Sequence, residues 1–339
     1  MRPTFLERLA DPAIKNVLLC GCGGGFDFLQ GVTLLPELRR LGKRVVIGSY
    51  SFGLPENIEN AEVVHRAMDG AIVKQVTAAS EPPADYGPEV HLASFLDQEW
   101  PEGAPHFIYA YYARAFTITS LREFYQELVE KHSIDAVLLI DGGSDSLMRG
   151  DEEGLGDPIE DAVSVAAVAA LTNVKTKILF SLGLGADRFN GVSDAATLRA
   201  IAELTSAGGF LGAMSLEPTD PGLQFYRRAI EHIYANQSFR SALTGFILAA
   251  AEGHFGGEVI PPSLTHRVRP GKFFLWPLMA ILWAFDVDSV ARRSLLVGWL
   301  EPCRTFRECH YALVNGRASL PEGPRAIENL PLHEDMIGN

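Results

Sequence analysis

VLLCGCGGGFD, residues 17–27, is an apolar run that ends in four glycines within five positions and then an aspartate. The pattern returns twice, as VLLIDGGSD at 137–145 and ILFSLGLGAD at 178–187. Short, continuous apolar runs bounded by glycine read as strands buried on both faces, the kind that build parallel sheets covered by helices. In such sheets ligands bind outside the carboxyl ends of the strands. Glycine at those ends lets backbone N–H groups come close to a ligand. One arrangement therefore accounts for all three stretches: the turns line a single crevice. Gly23, Gly24, Gly25, Gly142, Gly143 and Gly185 would supply backbone donors, and Asp27, Asp141, Asp145 and Asp187 carboxylates.

Outward from these stretches, strand-like and helix-like runs alternate. Further strands are expected at 44–51, 71–78, 106–113 and 210–216. Helices are expected at 120–131, opened by a Ser120/Glu123 capping box, from Asp157-Pro158 onward, and at 193–207. Beyond Asp220 the pattern turns helical, at 220–236, 238–252 and 277–300. The expected fold is α/β: a Rossmann-like, mostly parallel sheet with helices on both faces and a helical C-terminal part. The expected division is an α/β unit over 1–218, a mainly helical part over 219–320 and a surface tail over 321–339.

Bulk properties exclude several classes. The chain has 339 residues, a net charge of −13 and no dense Lys/Arg cluster. Nucleic acid and acidic membranes are bound through clustered cations, so neither is the expected partner. The longest apolar run, FFLWPLMAILWAF at 273–285, has 13 residues and an internal proline, too short to span a bilayer. Mean hydropathy of +0.09 favours a homo-oligomer contact. Residues 1–12 lack an apolar signal core, so the four cysteines read as reduced thiols of a cytoplasmic protein.

The first loop is not a dinucleotide fingerprint. Phe26 stands where the third glycine belongs, and Ser49, Tyr50 and Ser51 stand where a ribose-binding acid belongs. No Gly-Lys-Ser/Thr follows either, so both NAD and P-loop nucleotide binding are disfavoured. Asp27 suits a sugar hydroxyl, an amine or a metal. The second loop, IDGGSDSLMRGDEEGLGDPIEDA at 140–162, carries eight acids against one arginine. Asp157 and Glu160 read as helix caps, and Asp151–Glu153 as a solvated loop. Asp141 ends a buried strand, where an acid is costly unless bonded or used. Asp141 and Asp145 are therefore the candidate catalytic pair and candidate ligands for Mg2+. Ser144 and Arg149, in the same loop, and His254, in the turn EGHFGG, join the list of ligand-binding candidates. Cys22 reads as a packed thiol, with a thiolate nucleophile at a helix N-terminus as its alternative.

CGGGFDFLQG at 22–31, DGGSDSLMRGDEEGLGDPIED at 141–161 and FDVDSVARR at 285–293 together resemble a domain-of-unknown-function family of archaeal and bacterial proteins. The resemblance covers roughly residues 10–315 and implies a Rossmann-like fold; no activity comes with it. From the residues themselves, the expected function is hydrolysis or group transfer on a small nucleotide-like or sugar-like metabolite. The alternatives are an enzyme acting on a cationic amino acid or amine, and a metabolite sensor without chemistry.

Overall fold

The computed structural model describes residues 3–264 and 268–326. Its frame is one nine-stranded sheet. The strands are β1 (Asn16–Gly21), β2 (Arg44–Ser51), β3 (Glu62–Arg66), β4 (Ile72–Thr77), β5 (Phe107–Tyr112), β6 (Ala136–Asp141), β7 (Thr176–Leu182), β8 (Phe210–Ser215) and β9 (Ile281–Asp286). Their spatial order is β3-β4-β5-β2-β1-β6-β7-β9-β8. The five central strands, β5 to β7, run parallel; β3, β4 and β9 pair antiparallel with their neighbours. The sheet is thus mixed, with a parallel centre.

The chain leaves β1 toward β2 on one side and later fills the place on the other side with β6. Crossovers diverge there, so their loops leave a gap at the carboxyl ends of β1 and β6. Both strands are buried along their length and alternate between two cores. Val17, Leu19, Ala136, Leu138 and Ile140 face one, while Leu18, Cys20, Val137 and Leu139 face the other.

The helices divide between those faces. The first core is closed by α1 (Thr4–Leu9), α2 (Asp27–Gln30), α3 (Leu35–Arg40) and α4 (Pro88–Glu99), and by two later helices described below. The second is closed by α5 (Ile118–His132), α6 (Pro158–Ala169) and α7 (Asp194–Ser206). Helices α8 (Pro221–Asn236) and α9 (Ala242–Ala251) return to the first face. Helices α10 (Val287–Arg293), α11 (Leu295–Leu300) and α12 (Phe306–Ala318) complete the second. Among the described residues no helix is long and apolar enough to cross a membrane.

Several expectations need correction. Residues 277–300 are not one helix: a 3-10 turn at Pro277–Ala280 leads into β9, and α10 and α11 follow. Pro277 prevents an incoming helix, and Asp286 starts a new one by accepting the Ser289 N–H at 3.0 Å. Helix α5 starts earlier than expected, with Thr117 and Ser120 forming the capping box. Helices α1 and α4 and strand β3 were not anticipated; β3 pairs only through a hairpin with β4. Asp157 occupies the N-cap position of α6, but its side chain makes no capping hydrogen bond. The acids 151–153 are not simply solvated, since Glu152 is buried and binds Arg325, while the N–H groups of Arg149 and Gly150 donate to it. Of the tail expected over 321–339, residues 327–339 lie outside the described residues.

Candidate functional site

The three glycine loops meet at the gap between β1 and β6, and they bring five carboxylates with them. Asp27 opens α2, Asp141 ends β6, Asp145 starts the 3-10 turn after it, and Asp187 lies in the 3-10 turn after β7. The fifth is Asp161, on the first turn of α6, 3% exposed. One oxygen from each of Asp27, Asp141 and Asp161 lies within 4.8 Å of the other two. Asp145 and Asp187 flank this triad.

The glycines are there for these acids. A Cβ on Gly23 would stand 2.5 Å from both Asp161 Oδ1 and Asp27 Oδ2, and one on Gly142 would stand 2.6 Å from Asp27 Oδ1. The Gly23 and Gly142 backbones also face Asp27 and favour its charged form. Gly143 and Gly156 likewise leave room for Asp187 and Asp145. Gly24 and Gly25 have another neighbour: the Phe52 ring lies on both, and any side chain there would collide with it. Gly25 also gives its N–H to Tyr50 O at 2.9 Å and holds φ at +82°, where glycine is favoured. Gly185 is packed under Trp276 and Arg188.

Each acid has a different degree of support. Asp141 accepts the hydroxyl and backbone N–H of Ser146. Asp145 accepts the Asp157 N–H at 3.0 Å, with the Asp161 carboxyl against it. Asp187 accepts the Ser144 N–H at 2.7 Å, which ties the second loop to the third. Asp161 Oδ1 is buried and has no hydrogen-bond partner. The Tyr50 hydroxyl, buried close enough to feel the Asp161 and Glu160 charges, also lacks one.

Burial raises the pKa of all five acids, and for Asp27, Asp141, Asp161 and Asp187 the neighbouring carboxylates push it well above the ordinary range. No basic side chain offsets them. Arg114, Arg149 and Arg188, on or beside the loops, pair with Glu160, Asp151 and Asp194. Among the described residues none of the five has a basic partner within 4.0 Å. An unscreened group of buried carboxylates stays neutral or takes up a cation.

Arg149 and His254 are engaged by other groups, and Cys22 lies beside the triad with its thiol 3.8 Å from Asp161 O. The Arg149 side chain is partly exposed and held by Asp151. His254 closes the C-terminal end of α9 with its N–H on Ala249 O, its ring exposed beside Glu252. The buried Cys22 thiol is pushed up by desolvation and then by the aspartates, which removes the thiolate reading. All four cysteines are free and buried. Asp161 was not singled out from sequence. Its signal was the helix behind it: α6 is apolar on all sides, so an acid in its first turn is forced indoors.

A family model, described as a protein of unknown function (DUF1152), matches residues 109–317, more than half of the chain. The chain belongs to this family. The matched span of DUF1152 begins in β5 and ends in α12, so it holds Asp141, Asp145, Asp161 and Asp187, whereas Asp27 comes from the segment before it. No curated protein and no solved structure matches the chain.

Proposed function

We propose that this DUF1152 protein is a divalent-cation-dependent enzyme that carries out hydrolysis or group transfer on a small nucleotide-like or sugar-like metabolite. Asp27, Asp141 and Asp161 hold the cation, with Mg2+ the expected ion. Two observations carry this reading together: Asp161 Oδ1 is buried without a hydrogen-bond partner, and one Asp161 oxygen lies within 4.8 Å of an oxygen of Asp27 and one of Asp141. Hard divalent cations take carboxylate oxygens of this kind, and Mg2+ characteristically sits on a few carboxylates plus substrate phosphate oxygens. A bound cation lowers the pKa of its water and screens the charge of a phosphate. In hydrolysis the water oxygen bonds to phosphorus or to the anomeric carbon while the bond to the leaving group breaks. The proton shed by the water would pass to Asp145, which flanks the three cation ligands, and from it to the leaving group. Asp187, which joins two loops, is a positioning residue. The free thiols favour a cytoplasmic setting.

Titration calorimetry of the full chain with MgCl2 and MnCl2, followed by product release from a nucleotide and sugar-phosphate panel, tests this. The expected outcome is one site per chain, lost in Asp161→Asn, and turnover abolished by EDTA. Turnover of an amine substrate in EDTA would instead make the aspartates counter-ions and defeat the proposal.

A further inference from the structure

Beside the first glycine loop, past the carboxyl end of β2, lies a recess of about 250 Å³. Phe52, Ile58 and Tyr86 form its apolar walls, and Asn57, Asp85 and Glu89 bring polar groups to it. Phe52 is common to the recess and the triad loop: its ring rests on Gly24 and Gly25 yet remains 44% exposed. Tyr86 packs edge-on against Phe26, the residue before Asp27, at 5.8 Å between centroids. The recess therefore abuts the first glycine loop, the loop that leads into Asp27.

We propose that this recess binds the base and sugar of a nucleoside-bearing substrate. Three features select that class. Phe52 offers a partly exposed ring, with the Arg114 guanidinium 5.2 Å from its centroid, and Tyr86 forms a second aromatic wall; stacking on an aromatic ring tolerates any base. The ionisable groups lining the recess are acids, with no Lys, Arg or His, so it takes hydrogen-bond donors such as ring amines and sugar hydroxyls rather than phosphate. Glu89 is buried, and Ser49 donates to one of its oxygens at 2.8 Å; a carboxylate has capacity for further donors. The recess, at about 250 Å³, lies below the roughly 300–1,000 Å³ of drug-sized pockets, which limits it to a ligand smaller than a dinucleotide. The substrate's phosphate would then reach past Phe52 toward the triad, a link that rests on the cation-dependent reading above.

The test is titration calorimetry of the full chain in EDTA with adenosine, guanosine, cytidine and uridine, on the native chain and on Phe52→Ala, Glu89→Gln and Asp161→Asn. Because Phe52 is exposed, its alanine variant is expected to melt with the native protein, which a thermal scan checks. The expected result is binding of at least one nucleoside, weakened tenfold or more by Phe52→Ala and unchanged by Asp161→Asn. Glu89→Gln should alter the ranking of the four. Absence of binding to the native chain, or equal binding by Phe52→Ala, would overturn the proposal. Mg2+ binding without nucleoside binding defeats this inference alone, and nucleoside binding without Mg2+ binding defeats the cation reading alone.

Discussion

At the scale of single residues, Asp161 is the decisive side chain, because its Oδ1 is buried without a hydrogen-bond partner. Replacing it with Asn keeps the shape and spares the metal-free folded chain the cost of holding a buried carboxyl protonated, so that form should gain about 1 kcal/mol of stability and lose its response to Mg2+. Thermal scans with and without MgCl2 show both effects; a variant that still responds to Mg2+ contradicts the role given to Asp161. Gly23→Ala makes the opposite case: its Cβ would intrude on Asp27 and Asp161 at 2.5 Å, so it should destabilise by about 1–3 kcal/mol and weaken Mg2+ binding. Asp27, Asp141 and Asp187 were legible in the sequence, since each follows a buried strand. Asp161 was hidden because an acid on a helix's first turn satisfies ordinary helix chemistry, and only the fold shows that this turn faces the strand ends. The glycines were legible as a site marker, but what packs against them was not: those at 23 and 142 accommodate carboxylates, and those at 24 and 25 accommodate Phe52.

At the scale of elements, the parallel centre was legible because β1, β2, β6 and β7 are continuous apolar runs. The edges were not. Strand β9 is preceded by Pro277 and runs straight into α10, so its apolar residues also fit a helical period; what makes it a strand is pairing with both β7 and β8. Asp286 secures that junction by accepting the N–H and hydroxyl of Ser289. Asp286→Ala should therefore cost about 1 kcal/mol in a denaturant titration, with the cation site intact. A much larger loss would mean that the strand, and not only the helix start, depends on this residue.

At the scale of the whole molecule, the carboxylate cluster couples stability to pH. The folded pKa values are raised, so between the ordinary carboxylate range and those raised values the folded chain holds more protons than the unfolded one. This contribution to stability falls as pH rises through that window and is recovered on acidification. Metal-free protein should accordingly melt higher at pH 6 than at pH 8, and saturating Mg2+ should reduce or reverse the difference. Because the cation competes with protons, its affinity should rise with pH, about tenfold per unit for each proton displaced. Differential scanning calorimetry across this range, in EDTA and in MgCl2, checks the sign. Net charge, hydropathy and cysteine usage bore on partners and compartment, but they carried no information about which acids converge; that came from the order β2-β1-β6 in the sheet.

The most direct measurement is an anomalous difference map from crystals of the protein grown with MnCl2. The expected result is one peak about 2.0–2.6 Å from carboxylate oxygens of Asp27, Asp141 and Asp161. A map with no peak at these three residues, while manganese is seen elsewhere on the chain, would contradict the cation site.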